Sequence, residues 1–258
     1  MSDNKIQDTK NNLQTSTAAA LDTDDSGMSL VEHLTELRTI LIKSIAAVIL
    51  AACASLFFSN DIIKYISFNL SSVLRGEKLV FISPAEGFFV SLKVSFFVAF
   101  LAVLPYILFQ IWKFIYIALT AKEKKYFNLL LITSVLSFYA GLVFAVYIAV
   151  PLGVNFLIGY SSELFRPMIS VEAYYDFLIY SAVTFGIVFE MPLILLFLNK
   201  INIVSKKWLS ENRRYSVLII FILAAVFSPP DVFSQFLVAI PMLFLYELSI
   251  ILIKIAGN

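Results

Sequence analysis

The chain has 258 residues, of which 60% are hydrophobic, with 25 phenylalanines and a formal net charge of +1. That apolar share lies well above the roughly 45–50% of soluble domains, and the mean hydropathy is +0.89; an ordinary water-soluble globule is excluded. The single cysteine, Cys53, lies in an apolar run and excludes an internal disulfide and any cysteine-based metal cluster.

Residues 1–28 are polar and rich in Asn, Asp, Thr and Ser. They lack the apolar core of a secretory signal and are expected to form a disordered cytoplasmic tail over 1–27, with Met28 a plausible alternative start. Six apolar segments follow, at 40–58, 88–119, 126–150, 174–198, 215–227 and 232–253. A helix needs about 20 apolar residues to cross a bilayer. The expected fold class is therefore an all-α integral membrane protein with six transmembrane helices, occupying residues 28–258. The alternating pattern of a membrane β-barrel is absent, and no internal repeat is visible.

Cations in the connections set the expected orientation. Lys122, Lys124 and Lys125 follow the second segment, and Lys200, Lys206, Lys207, Arg213 and Arg214 follow the fourth. The opposite loops carry Lys64, Arg75, Lys78 and Arg166 over a greater length. The excess of Lys and Arg on the cytoplasmic side places both termini in the cytoplasm, as an even number of spans requires. The fifth segment is short. From 215 to 227 a helix covers about 20 Å at ~1.5 Å per residue, against ~30 Å of hydrocarbon. Only Ser228-Pro229-Pro230-Asp231 separates it from the sixth, so the two are expected to form a tight hairpin.

Several short strings stand out. Before the first span, Val31, Leu34, Leu37 and Leu41 recur at helical spacing, with Glu32 and Glu36 sharing a face; this reads as an amphipathic helix at the cytoplasmic interface. Ser83-Pro84-Ala85-Glu86-Gly87-Phe88 marks a turn into the second span. That span contains Pro105, then Gln110, suited to bonding across helices, and Trp112, suited to an interface anchor. Glu123 is an anion within a basic loop. Glu190 lies alone in an apolar stretch, two residues before Pro192. A carboxylate at that depth costs several kcal/mol and is read as functional by default, while the proline frees a backbone carbonyl and bends the helix. Glu247 is a second acidic residue expected inside the sixth span, beyond Pro241.

Three strings, His33-Leu34-Thr35-Glu36-Leu37-Arg38, Phe189-Glu190-Met191-Pro192 and Pro229-Pro230-Asp231-Val232-Phe233-Ser234-Gln235, together resemble the TatC family, the polytopic core subunit of the twin-arginine protein translocase. The resemblance runs from about Met28 to the C-terminus. It implies a receptor for folded precursors whose signal peptides carry paired arginines, driven by the proton-motive force, without cofactor or enzymatic activity, in the bacterial inner membrane. It further implies signal-peptide contacts at Glu36 and Glu123, with Arg38 beside them. Polar partner contacts are implied at Glu190, Gln235, Glu247 and Asp231, and shaping roles at Pro84, Pro105, Pro192, Pro229 and Pro230. Expected partners are single-span TatA-like and TatB-like subunits, further copies of the chain and the lipid bilayer, but no nucleic acid. Kinks at Pro105, Pro192 and Pro241 imply a curved bundle. One departure is Ile40, which stands where the family usually has a second basic residue.

Paired arginines call for carboxylates, because a guanidinium binds carboxylate through a planar two-pronged fork. The chain has no GxxxxGK[ST] phosphate loop. An ion-coupled transporter would more often show inverted repeats. A protease would need HExxH, GxSxG or an equivalent constellation, yet the one histidine is His33.

Overall fold

The computed structural model describes residues 30–68, 79–117, 124, 127–161, 168–228 and 231–256. The expected tail (1–27), Glu123, Pro229 and Pro230 lie outside the described residues. The chain divides into a first unit ending at Lys43 and a second, Ser44–Asn258. Helix α1 (Leu30–Leu56) begins in the first. The rest follow in the second: α2 (Ser59–Phe68), α3 (Glu86–Ile117), α4 (Phe127–Phe144), α5 (Val150–Ser161), α6 (Val171–Phe189), α7 (Met191–Lys200), α8 (Lys206–Glu211), α9 (Arg213–Val226) and α10 (Val232–Ala256). Among the described residues there is no strand, only a two-residue bridge between Val80 and Ser170.

Among the described residues, five stretches are long and apolar enough to cross a membrane: Leu34–Leu56, Glu86–Tyr116, Phe127–Tyr160, Val171–Lys200 and Val232–Ile255. The fifth sequence segment becomes α9, 14 residues long, or about 21 Å. The third span runs well past its expected end at Val150. Pro151 reads in the sequence as a stop, because it lacks an N–H and crowds the carbonyl four residues earlier. A wide π turn at Ala145–Ala149 precedes it, in which the Val150 N–H bonds back to Ala145 O. Such a turn makes room for the ring, and α5 continues to Ser161.

In the second unit, α4 and α6 are the most intimately packed pair, and glycines make that approach possible. A Cβ on Gly141 would collide with the Phe185 backbone, and one on Gly186 would lie 2.5 Å from the Phe138 ring. Small residues that let backbones approach are the membrane counterpart of a hydrophobic core. Around this crossing sit Val94, Ala145, Ala149, Tyr175, Ala182, Phe185 and Ala239, all at most 1% exposed. The α9–α10 pair forms the expected hairpin. Gln235 Nε2 donates to Phe221 O at 3.1 Å, and Ser216 Oγ donates to Tyr246 Oη at 2.8 Å.

Two expectations for α3 need correction. Trp112 is not an interface anchor: it is 6% exposed and packs edge-on against Phe197. Gln110 does not reach another helix; its Nε2 donates to Tyr106 Oη, one turn back on α3, at 2.8 Å. With an aromatic hydroxyl one turn away, the local bond forms without ordering a second helix. Pro105 lies inside an α3 that is helical on both sides of it.

Candidate functional site

Glu190 occupies a break. Helix α6 ends at Phe189 and α7 begins at Met191. Between them, the Glu190 N–H bonds to Ile187 O at 3.1 Å in a tightened turn, and Ile194 N resumes the helical pattern on Glu190 O at 2.9 Å. The cause is Pro192 in the first turn of α7, which cannot donate and forces a gap in the ladder. Two serines on the facing helix close that gap. Ser137 Oγ donates to Phe189 O at 2.6 Å, and Ser134 Oγ donates to Glu190 Oε2 at 2.8 Å. Spaced three residues apart, they share one face of α4. The other oxygen, Oε1, is shielded from solvent and accepts no hydrogen bond. It retains acceptor capacity that none of the described residues uses.

Next to this break an apolar groove of about 980 Å³ opens between α4, α7 and α10, lined among others by Thr133, Ser137, Phe189, Pro192, Pro241 and Leu245. Ser137 and Phe189 therefore belong both to the repaired ladder and to the groove wall.

The other sequence candidates are distributed. Glu36 is half-buried on α1 and Arg38 is exposed; one Glu36 oxygen, Oε2, is shielded and without a hydrogen-bond partner. The apolar stripe beside them is open, with Leu34 at 64% and Leu41 at 60% exposure. Asp231 caps α10: its Oδ1 accepts from Ser234 N at 2.7 Å. Gln235 is occupied by the Phe221 carbonyl, as above. Glu247 lies within α10, inside the candidate span Val232–Ile255. It is about half exposed and pairs with Arg213 Nη2 at 3.1 Å, at the first residue of α9. Pro84 is exposed in the turn leading into α3.

That turn holds a residue whose importance the sequence did not reveal. Glu86 is 2% exposed. Its Oε2 accepts from Ile82 N at 2.6 Å and Ser83 N at 3.2 Å, while Oε1 accepts from Glu172 N at 2.7 Å and from the Ser170 hydroxyl. One carboxylate thus caps its own helix and the start of α6. The Val80 bridge alongside, Val80 N to Ile169 O at 3.0 Å and Val171 N to Val80 O at 3.1 Å, completes the join. Serines at i and i+3 in an apolar helix were the available sign for Ser134 and Ser137. For Glu86 the sign was an acidic residue at a helix start.

A family model described as Sec-independent protein translocase protein (TatC) matches residues 32–241. The chain belongs to the TatC family. A TatC from Aquifex aeolicus is 38% identical over 231 residues, 89% of this chain and 96% of that one. A TatC from Haemophilus influenzae is 36% identical over 231 residues, 89% and 90% of the two chains. The crystal structure of a twin arginine translocase receptor, TatC, superposes with a TM-score of 0.78 at 38% identity, covering 88% of this chain and all of that one. As a TatC the chain is a membrane-embedded subunit of the Sec-independent protein translocase, a transport component that works within a complex.

Proposed function

We propose that this chain is the signal-peptide receptor of its translocase, spanning the inner membrane six times with both termini cytoplasmic. On this reading α9 is the fifth span, short enough that the α9–α10 turn lies beneath the far membrane surface or the bilayer thins around it. The paired arginines of an arriving precursor engage Glu36 and Glu123, with Arg38 beside them, and transport draws on the proton-motive force. Glu190 accepts a polar group from the transmembrane helix of a single-span TatA-like or TatB-like partner seated in the adjoining groove.

The observation that carries the receptor reading is the Glu36 carboxylate, with one oxygen shielded and lacking a donor. A guanidinium supplies two parallel N–H donors to such a group, which an ammonium cannot. The solved relative named as a twin arginine translocase receptor supports it. The test is binding of the purified protein to synthetic signal peptides that differ only in Arg-Arg against Lys-Lys. Charge is conserved in that exchange and the fork is lost, so the Lys-Lys peptide is expected to bind roughly tenfold or more weakly. Equal affinities would remove the geometric basis of the proposal.

A further inference from the structure

Where α3 and α6 both begin, three charged side chains meet away from Glu190. Lys93 Nζ donates to Glu172 Oε1 at 2.7 Å and to Asp176 Oδ1 and Oδ2 at 2.7 and 2.9 Å. These contacts occupy the three ammonium hydrogens, whereas each carboxylate keeps free lone pairs. One cation against two carboxylates leaves a net charge of −1, and the side chains are 35%, 37% and 50% exposed for Lys93, Glu172 and Asp176. Helix α3 has 32 residues, about 48 Å at ~1.5 Å per residue, against ~30 Å of hydrocarbon. An excess of about 18 Å is long enough to carry Lys93, the eighth residue of α3, at headgroup level.

From this cluster an open groove of about 1060 Å³ descends between α1, α3 and α6. Val48, Phe96, Phe100, Phe177 and Val183 line it, with Lys93 and Asp176 among its charged residues. Ser228, just past the end of α9, also lines it. That residue is 8% exposed, and its hydroxyl has no hydrogen-bond partner. A buried hydroxyl left without a partner is uncommon in a folded chain.

We propose that this groove binds one phospholipid with an ethanolamine headgroup. The ammonium donates to the free lone pairs of Asp176 and Glu172, an acyl chain lies along the phenylalanines, and an ester carbonyl accepts the Ser228 hydroxyl. The three requirements come from the site itself. A negative mouth disfavours an anionic headgroup. Carboxylates with open lone pairs favour an N–H donor over a quaternary choline, which has none. The buried hydroxyl calls for an acceptor within the apolar groove, where a diacyl lipid carries its esters.

Native mass spectrometry of the full-length protein in detergent, titrated with dioleoyl phosphatidylethanolamine, phosphatidylcholine or phosphatidylglycerol, tests this. Phosphatidylethanolamine is expected to be retained preferentially, and Asp176→Asn should weaken its retention roughly tenfold, the scale of a charge-assisted hydrogen bond. Because Asp176→Asn also unseats Lys93, Val183→Trp provides a second arm: it fills the groove, leaves the three charges in place and should abolish the preference. Equal retention of the three lipids by the unaltered protein, or a preference that survives both variants, overturns the proposal. Displacement of the lipid by a paired-arginine signal peptide also overturns it, assigning the groove to cargo.

Discussion

At the scale of single residues, Glu190 and Glu86 show two ways to keep a carboxylate in an apolar setting. Glu86 has its oxygens filled by backbone N–H groups and a hydroxyl, so its role is internal. Glu86→Ala should leave three backbone donors unpaired, lower the thermal midpoint measured in detergent and loosen the start of α6; an unchanged midpoint would show that water replaces the carboxylate at no cost. Glu190 has one oxygen held by Ser134 and one open. Glu190→Gln keeps the hydrogen bonding and size, and should retain much of the export of a reporter precursor. Glu190→Leu should lose it. Equal failure of both would point to proton exchange, and full export by the Leu variant would reduce Glu190 to a tolerated residue. Glu190 was conspicuous in the sequence because nothing polar surrounds it. Its serine partners were not, because spacing within α4 does not say which helix α4 faces. Glu247 shows the same limit: its partner, Arg213, lies 34 residues away in sequence.

Among elements, hydropathy located the helices and left their junctions open. The third span illustrates the limit. Pro151 is a sound stop signal taken alone, and the π turn that absorbs it leaves no mark in residue type. The α4–α6 crossing also needed the structure, since Gly141 and Gly186 are ordinary glycines until their partners are known. Gly141→Ala should cost about 1–3 kcal/mol through overpacking. Gly159→Ala, whose new methyl would meet nothing within 4 Å, should be neutral or stabilising by roughly 0.5–1 kcal/mol because glycine is a poor helix residue. Thermal unfolding of the two variants side by side checks the contrast. Equal effects would mean that the crossing yields and the glycines are not what set it.

For the whole molecule, the membrane class, its helical nature and the family were all legible, because a bilayer leaves few ways to satisfy a backbone and because three short strings fall in the family's order. The family model begins at residue 32, so a chain starting at Met28 is expected still to support export at normal accumulation; a dead truncation that accumulates normally would give the tail a role. The proposed receptor role requires Glu36 and Glu123 to act together. The most direct measurement places a photoreactive residue beside the arginine pair of a precursor and follows its crosslinking to the chain in membranes. Crosslinking to the unaltered protein is predicted, weakened by Glu36→Ala or Glu123→Ala alone and abolished when both are changed, at equal membrane levels of each variant. Undiminished crosslinking to the double variant would contradict the account.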